Sequence, residues 1–295
     1  MSSIAEAQAR LEGGGPRPLW LLLVGPYGLY LLVLLVVPFA NVALYSVLTY
    51  SPTSIAEESL TFDNYLKIVD PYYLRLFVRT LKLGLITTVA CAVLGYPLAY
   101  FLARARPGVL TLGLFLLIMP LMVSTVIRVF GWIVILGRKG LINEALLAVG
   151  LEPVKLLYNE TAIVIGLVNI FMPFMVLPLM ASIERIPVSL EEAAQNLGAN
   201  WYGMFLRTIL PLSLPGLISG CLLVYSISIS AYVTPALMGS SRVRMAGQQI
   251  YDEVLVSFNW PSASALSLTL VALTLVLLFW ALFATRRTGR RETSS

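Results

Sequence analysis

The residues that could bind or react are few. No histidine occurs in 295 residues, which removes histidine-based metal sites and His-dependent triads. Asp252 and Glu253 are adjacent acids, able either to draw in a cation or to pair with Arg242 or Arg244 and shape their loop. Tyr225, Ser228 and Tyr232 recur at i, i+3 and i+7, one face of a helix. Two aromatic rings and a hydroxyl make a wetted lining, and a tyrosine face attracts a cation by roughly 0.5–2 kcal/mol. Ser226 and Ser230 lie on another face and read as small groups that let helices approach closely. Arg128 stands alone in an apolar run. It reads either as an interfacial or ion-paired arginine beside Trp132, or as a pore-facing cation suited to an anionic solute. There is no GxxxxGK[ST] phosphate loop, so ATP hydrolysis does not belong to this chain.

One polar stretch between apolar runs has the internal order of folded helices: SLEEAAQNLGANWYGMFLRTILPLSLPG, from Ser189 to Gly216. Ser189 with Glu192 three residues later predicts a capping box. Leu190, Ala193, Ala194 and Leu197 share one narrow apolar face. Gly198 falls where a helix end favours positive φ. Trp201, Met204, Phe205 and Thr208 resume the helical spacing. Two short helices meeting at a glycine, with small alanines on one face, suit a knob that enters another protein's groove.

These elements must be positioned by a membrane domain. The chain is 58% hydrophobic and 12% charged, too little charge to cover a soluble protein of this size. Six apolar runs approach the ~20 residues a bilayer core requires: about 19–48 (Pro38 a kink), 76–102, 109–136 (interrupted by Pro120), 161–181, 212–234 and 264–285. The expectation is an all-α integral membrane protein of six transmembrane helices over 19–285, with a cytoplasmic tail 1–18 and a basic tail 286–295. The first run is far longer than a signal peptide's apolar core. Tyr65, Tyr72 and Tyr73 fit a helix lying at the outer interface, and Arg79 and Lys82 snorkel from the second span. Cys91 and Cys221 lie in apolar runs and read as packing residues, not a disulfide. The short turn at Arg104 and Arg106 and the tail of Arg286, Arg287, Arg290 and Arg291 place both termini in the cytoplasm. That tail is explained by anionic lipid, with no need of nucleic acid. No Asp, Glu or His falls within the six spans, which argues against a proton- or sodium-coupled carrier.

The polar stretch resembles the Glu-Ala-Ala loop of permease subunits in binding-protein-dependent ABC importers. Glu192, Ala193, Ala194, Gly198, Leu210 and Pro211 stand at the family spacing, while Thr208 occupies the position where isoleucine is expected. The resemblance implies a type I importer permease fold and an ATPase-coupling loop over 187–211. Its coupling residues would be Glu191, Glu192, Ala193, Ala194, Leu197, Gly198, Leu210 and Pro211. Phe62-Asp-Asn-Tyr, Gly95-Tyr-Pro-Leu-Ala-Tyr, Ile127-Arg-Val-Phe-Gly-Trp, Tyr232-Val-Thr-Pro-Ala-Leu-Met-Gly and Asn259-Trp-Pro narrow it to spermidine/putrescine-type permeases, the first of their two permease chains. That likeness implies a non-catalytic subunit in the bacterial inner membrane, with polyamine cargo. It implies as partners a second permease, two ATP-binding subunits holding the ATP and Mg, and an extracytoplasmic solute-binding protein. Tyr225, Ser228, Tyr232, Asp252 and Glu253 then become the candidate substrate path; related permeases for opines, amino-acid-like compounds or phosphonates remain the alternative.

Overall fold

The computed structural model describes residues 19–51, 57–240 and 243–292; the tail 1–18 and Arg242 lie outside them. Helix α1 (Leu19–Ser46) leads into a small antiparallel hairpin, β1 (Leu48–Thr49) with β2 (Glu57–Leu60). The sequence reading expected only a polar loop there. Asn64, buried on the short helix α2 (Asp63–Leu66), donates to the carbonyls of Ser46 and Leu48 and ties the hairpin to the end of α1.

Helix α3 (Pro71–Ala103) starts where Asp70 accepts from the Tyr72 N–H and Pro71 supplies a first residue that needs no donor. Tyr72 and Tyr73 therefore belong to the first turn of this spanning helix, not to a separate interfacial one. Helix α7 (Glu160–Glu184) starts in the same way, with the Asn159 side chain capping Ala162. Arg79 and Lys82 both pair with Glu160, at 3.4 and 2.6 Å, and lash the starts of α3 and α7 together. The acid also sits favourably in the first turn of α7.

The third apolar run departs furthest from expectation. It forms α4 (Pro107–Ile118), a 3₁₀ turn at Met119–Met122, and α5 (Thr125–Leu136) followed by α6 (Leu141–Ala148). The two helical arms meet at 100°. Pro120 lies inside the tight turn, and Val123 and Ser124 are extended, so the ladder is broken and not merely kinked.

After α7 come α8 (Val188–Asn196), α9 (Trp201–Met204), a π turn at Phe205–Ile209, and α10 (Leu210–Ser230). The outer connection that follows holds α11 (Val233–Met238) and α12 (Ala246–Leu255) before α13 (Trp260–Glu292), which runs without a break through the basic positions at its end. Among the described residues five helices are long and apolar enough to cross a bilayer, and the bent arms of the third run supply a sixth crossing if counted together.

Helices α3, α7 and α10 form the packed centre. Their core includes Leu83, Cys91, Leu167, Met175 and Val224. Gly216 permits the close approach of α10 to α7: a Cβ there would lie 2.7 Å from the Pro178 carbonyl oxygen. Helix α1 packs on α13 at the periphery, and its central stretch is entirely exposed within the chain. An apolar helix so exposed faces lipid or another subunit.

Candidate functional site

The polar stretch folds as two short helices that meet at Gly198. Helix α8 ends in a Schellman arrangement: Ala199 N–H donates to Ala194 O at 3.1 Å and Gly198 N–H to Gln195 O at 2.9 Å. Gly198 takes φ +82°, as its position foretold, and a Cβ there would meet nothing within 4 Å. The constraint is therefore backbone conformation, not crowding within this chain. Asn200 caps α9 by accepting from Gly203 N–H at 2.8 Å, a role that its spacing to the next helix start could have revealed.

The capping box does not form. The helix begins at Val188 with Pro187 at its cap and no side-chain cap hydrogen bond. Starting two residues earlier carries Ser189 inside the first turn, out of the geometry a cap needs. Glu192 is exposed instead, as are Ala193 and Gly198. The apolar face also turns outward. Leu197 is 89% exposed and Leu190, Trp201 and Tyr202 are exposed too.

Glu191 behaves differently from its neighbour. It is buried, and its carboxylate accepts from Tyr100 Oη at 2.7 Å and Arg104 Nε at 2.8 Å, with Arg104 Nη2 adding a further bond. Arg104 Nη2 also donates to the Ile186 carbonyl at 2.9 Å. Glu191 thus faces α3 and is not free to meet a partner. Tyr100 and Arg104 lie roughly ninety residues upstream, beyond the reach of any local pattern. Ile186, Met204 and Ile209, with Phe205 packed on them, close an apolar cluster behind the element. Trp201 stacks on Phe205 at 5.5 Å, and Phe205 meets Tyr96 edge-on at 5.0 Å.

Leu210 and Pro211 open α10 directly after the π turn. The Leu210 N–H reaches back to Phe205 O. A proline ring in a helix presses on the carbonyl four residues earlier, and the widened turn relieves that crowding.

At the opposite end of α10 the proposed lining comes apart. The helix stops at Ser230, and Ala231 is extended. Tyr232 therefore leaves the face of Tyr225 and Ser228 and stacks on Tyr251, ring centroids 4.8 Å apart. Tyr225 packs toward Gly84 of α3, and Ser228 is buried with its hydroxyl unpartnered among the described residues. Asp252 forms an ion pair with Arg244 at 3.1 Å, the loop-shaping arrangement. Glu253 accepts from Gln249, whose carbonyl in turn accepts from Tyr72 at 2.9 Å. Arg128 forms no ion pair among the described residues; its Nε and Nη1 are enclosed without a hydrogen-bond partner. The described residues contain no cluster of ligating side chains placed to hold a metal.

The family described as "Binding-protein-dependent transport system inner membrane component" matches residues 71–290. The spermidine/putrescine transport system permease protein PotB of Escherichia coli (strain K12) is 40% identical over 239 residues, 80% of this chain and 87% of that protein. Its counterpart in Haemophilus influenzae is 36% identical over 252 residues, 85% and 88% of the two chains. Among solved structures, a chain of a bacterial alginate ABC transporter crystallised with its periplasmic protein superposes with a TM-score of 0.71 at 19% identity, covering 91% of this chain and 95% of that one. A chain of the inward-facing MetNI methionine ABC transporter gives 0.51 at 20% identity, covering 76% and 99%.

Proposed function

The chain belongs to the binding-protein-dependent transport system inner membrane component family, and on that premise we propose that it is the permease subunit of an ATP-driven importer of polyamines. It is a multi-pass inner-membrane subunit of a transport complex and not an enzyme. The cargo rests on one observation, the likeness to spermidine/putrescine permeases sustained through the membrane helices. The complex joins this chain to a second, different permease, two ATP-binding subunits that hold ATP and Mg, and an extracytoplasmic binding protein.

Both termini lie in the cytoplasm. Supporting this, Arg104 of the short basic turn is bonded to the α8 element, so the cationic turn and the polar knob share one end of the molecule. Through Glu192, Ala193, Leu197 and Gly198 the knob enters a groove of the ATPase, and Leu210 and Pro211 begin the helix that follows it. Its exposed leucine and aromatic side chains fit a partner surface better than water.

At the other end, the stacked Tyr232 and Tyr251 stand beside Asp252 and Glu253. Aromatic faces next to acids attract a flexible polycation without one deep trap, and conduction needs sites weak enough to leave. Tyr225, half-buried on α10, continues that path inward once the second permease completes it, while Ser228, buried within the chain, does not line it. The test is uptake of radiolabelled putrescine and spermidine by the reconstituted complex, with ligand binding by the companion extracytoplasmic protein. ATP-dependent uptake of either amine is expected; uptake of neither, with a binding protein that ignores both, overturns the cargo.

A further inference from the structure

The coupling element is held stiffly on one side and loosely on the other. On the stiff side, one guanidinium, that of Arg104 at the end of α3, holds both the Glu191 carboxylate in the first turn of α8 and the Ile186 carbonyl at its entrance. Tyr100, one turn earlier on α3, completes the carboxylate's shell. The side chains of Arg104 and Glu191 are 19% and 9% exposed, so water screens the pair poorly. On the loose side, the element joins α10 through the π turn at Phe205–Ile209 and Pro211, which offers no N–H to the ladder.

We propose that Glu191 is a positioning residue that latches the coupling element to the inner end of α3. A push on the exposed face of α8 then carries α3 with it, and the π turn takes up the displacement relative to α10. The latch rests on the reading of this chain as an ATP-driven permease. It differs from a partner contact because Glu191 points into its own chain while Glu192 points out.

The experiment uses the whole reconstituted transporter. Spin labels at Asn196→Cys on the coupling element and Val93→Cys on α3, both exposed sites, report the distance between them, with Cys221 replaced by alanine and Cys91 buried. In the parent protein the distance distribution is expected to be narrow and the same with and without ATP. Glu191→Gln should broaden it and lower uptake per ATP hydrolysed by about tenfold, the scale of losing one charge-assisted hydrogen bond. The double variant Glu191→Gln with Arg104→Gln strands no buried charge and should assemble, but having also lost the Ile186 bond it should broaden the distance at least as much as Glu191→Gln alone. A parent distance that shifts with ATP overturns the latch, as does a Glu191→Gln transporter with the parent distribution and stoichiometry. If Glu191→Gln does not assemble, the parent distances and the double variant decide. Absence of any ATP-dependent uptake by the parent would strike the transport reading, and the effect of Glu191→Gln on the distance would still judge the latch.

Discussion

Gly198 offers the sharpest perturbation of the coupling element. Its φ of +82° lies in the left-handed region, where an L-residue costs roughly 1–2 kcal/mol more than glycine. Nothing in the chain lies within 4 Å of an added Cβ, so alanine suffers that strain and no clash. A penalty of 1–2 kcal/mol lowers the population of the competent bend by a factor of about 5–30. Asparagine, which tolerates this region, should lose much less. Valine adds a β-branched side chain that would project into the open space where the ATPase is proposed to dock. The expected order of ATP-driven uptake, normalised to chain inserted in the membrane, is glycine, asparagine, alanine, valine, with valine near zero. Valine equal to alanine would mean that only backbone strain matters and that no partner occupies the space. A stably inserted Gly198→Val transporter with parental uptake would refute both the bend and its role in coupling.

Three further outcomes are expected. Glu192→Ala should leave thermal stability in detergent within about 0.5 kcal/mol, because no cap bond is lost, while ATP-coupled uptake falls; a clear drop in melting temperature would show a structural role for that side chain. Asp252→Asn should slow polyamine uptake more than basal ATP hydrolysis whether or not Arg244 is replaced by Gln; if the Arg244→Gln background abolishes the effect, the acid acts only through its partly exposed ion pair, worth about 1 kcal/mol or less. Gly216→Val should destabilise the α7–α10 contact by about 1–3 kcal/mol through overpacking against the Pro178 carbonyl; unchanged unfolding of the purified chain would show that the two helices separate more easily than the close approach implies.

The sequence alone determined the features that depend on neighbours along the chain. Apolar runs of bilayer length located the spanning helices, since a backbone in lipid must satisfy its own hydrogen bonds. The positive φ of Gly198 and the two short helices around it followed from helical spacing and from the one residue type that accepts that conformation freely. Even locally, the sequence placed the α8 cap two residues too late, because a Ser–Glu spacing does not say where the first turn begins. Tertiary structure decided the rest. Periodicity could not distinguish Glu191 from Glu192; burial of one depends on Arg104 and Tyr100 arriving from the far end of α3. Tyr232 shares a helical period with Tyr225, yet α10 ends at Ser230 and sends it to Tyr251. A proline marked the third run for a break, but only the structure gives the 100° between its arms, with α4 packed on α3 and α5 on α11. In each case the local pattern permits several orientations, and the partner brought in by the fold selects one.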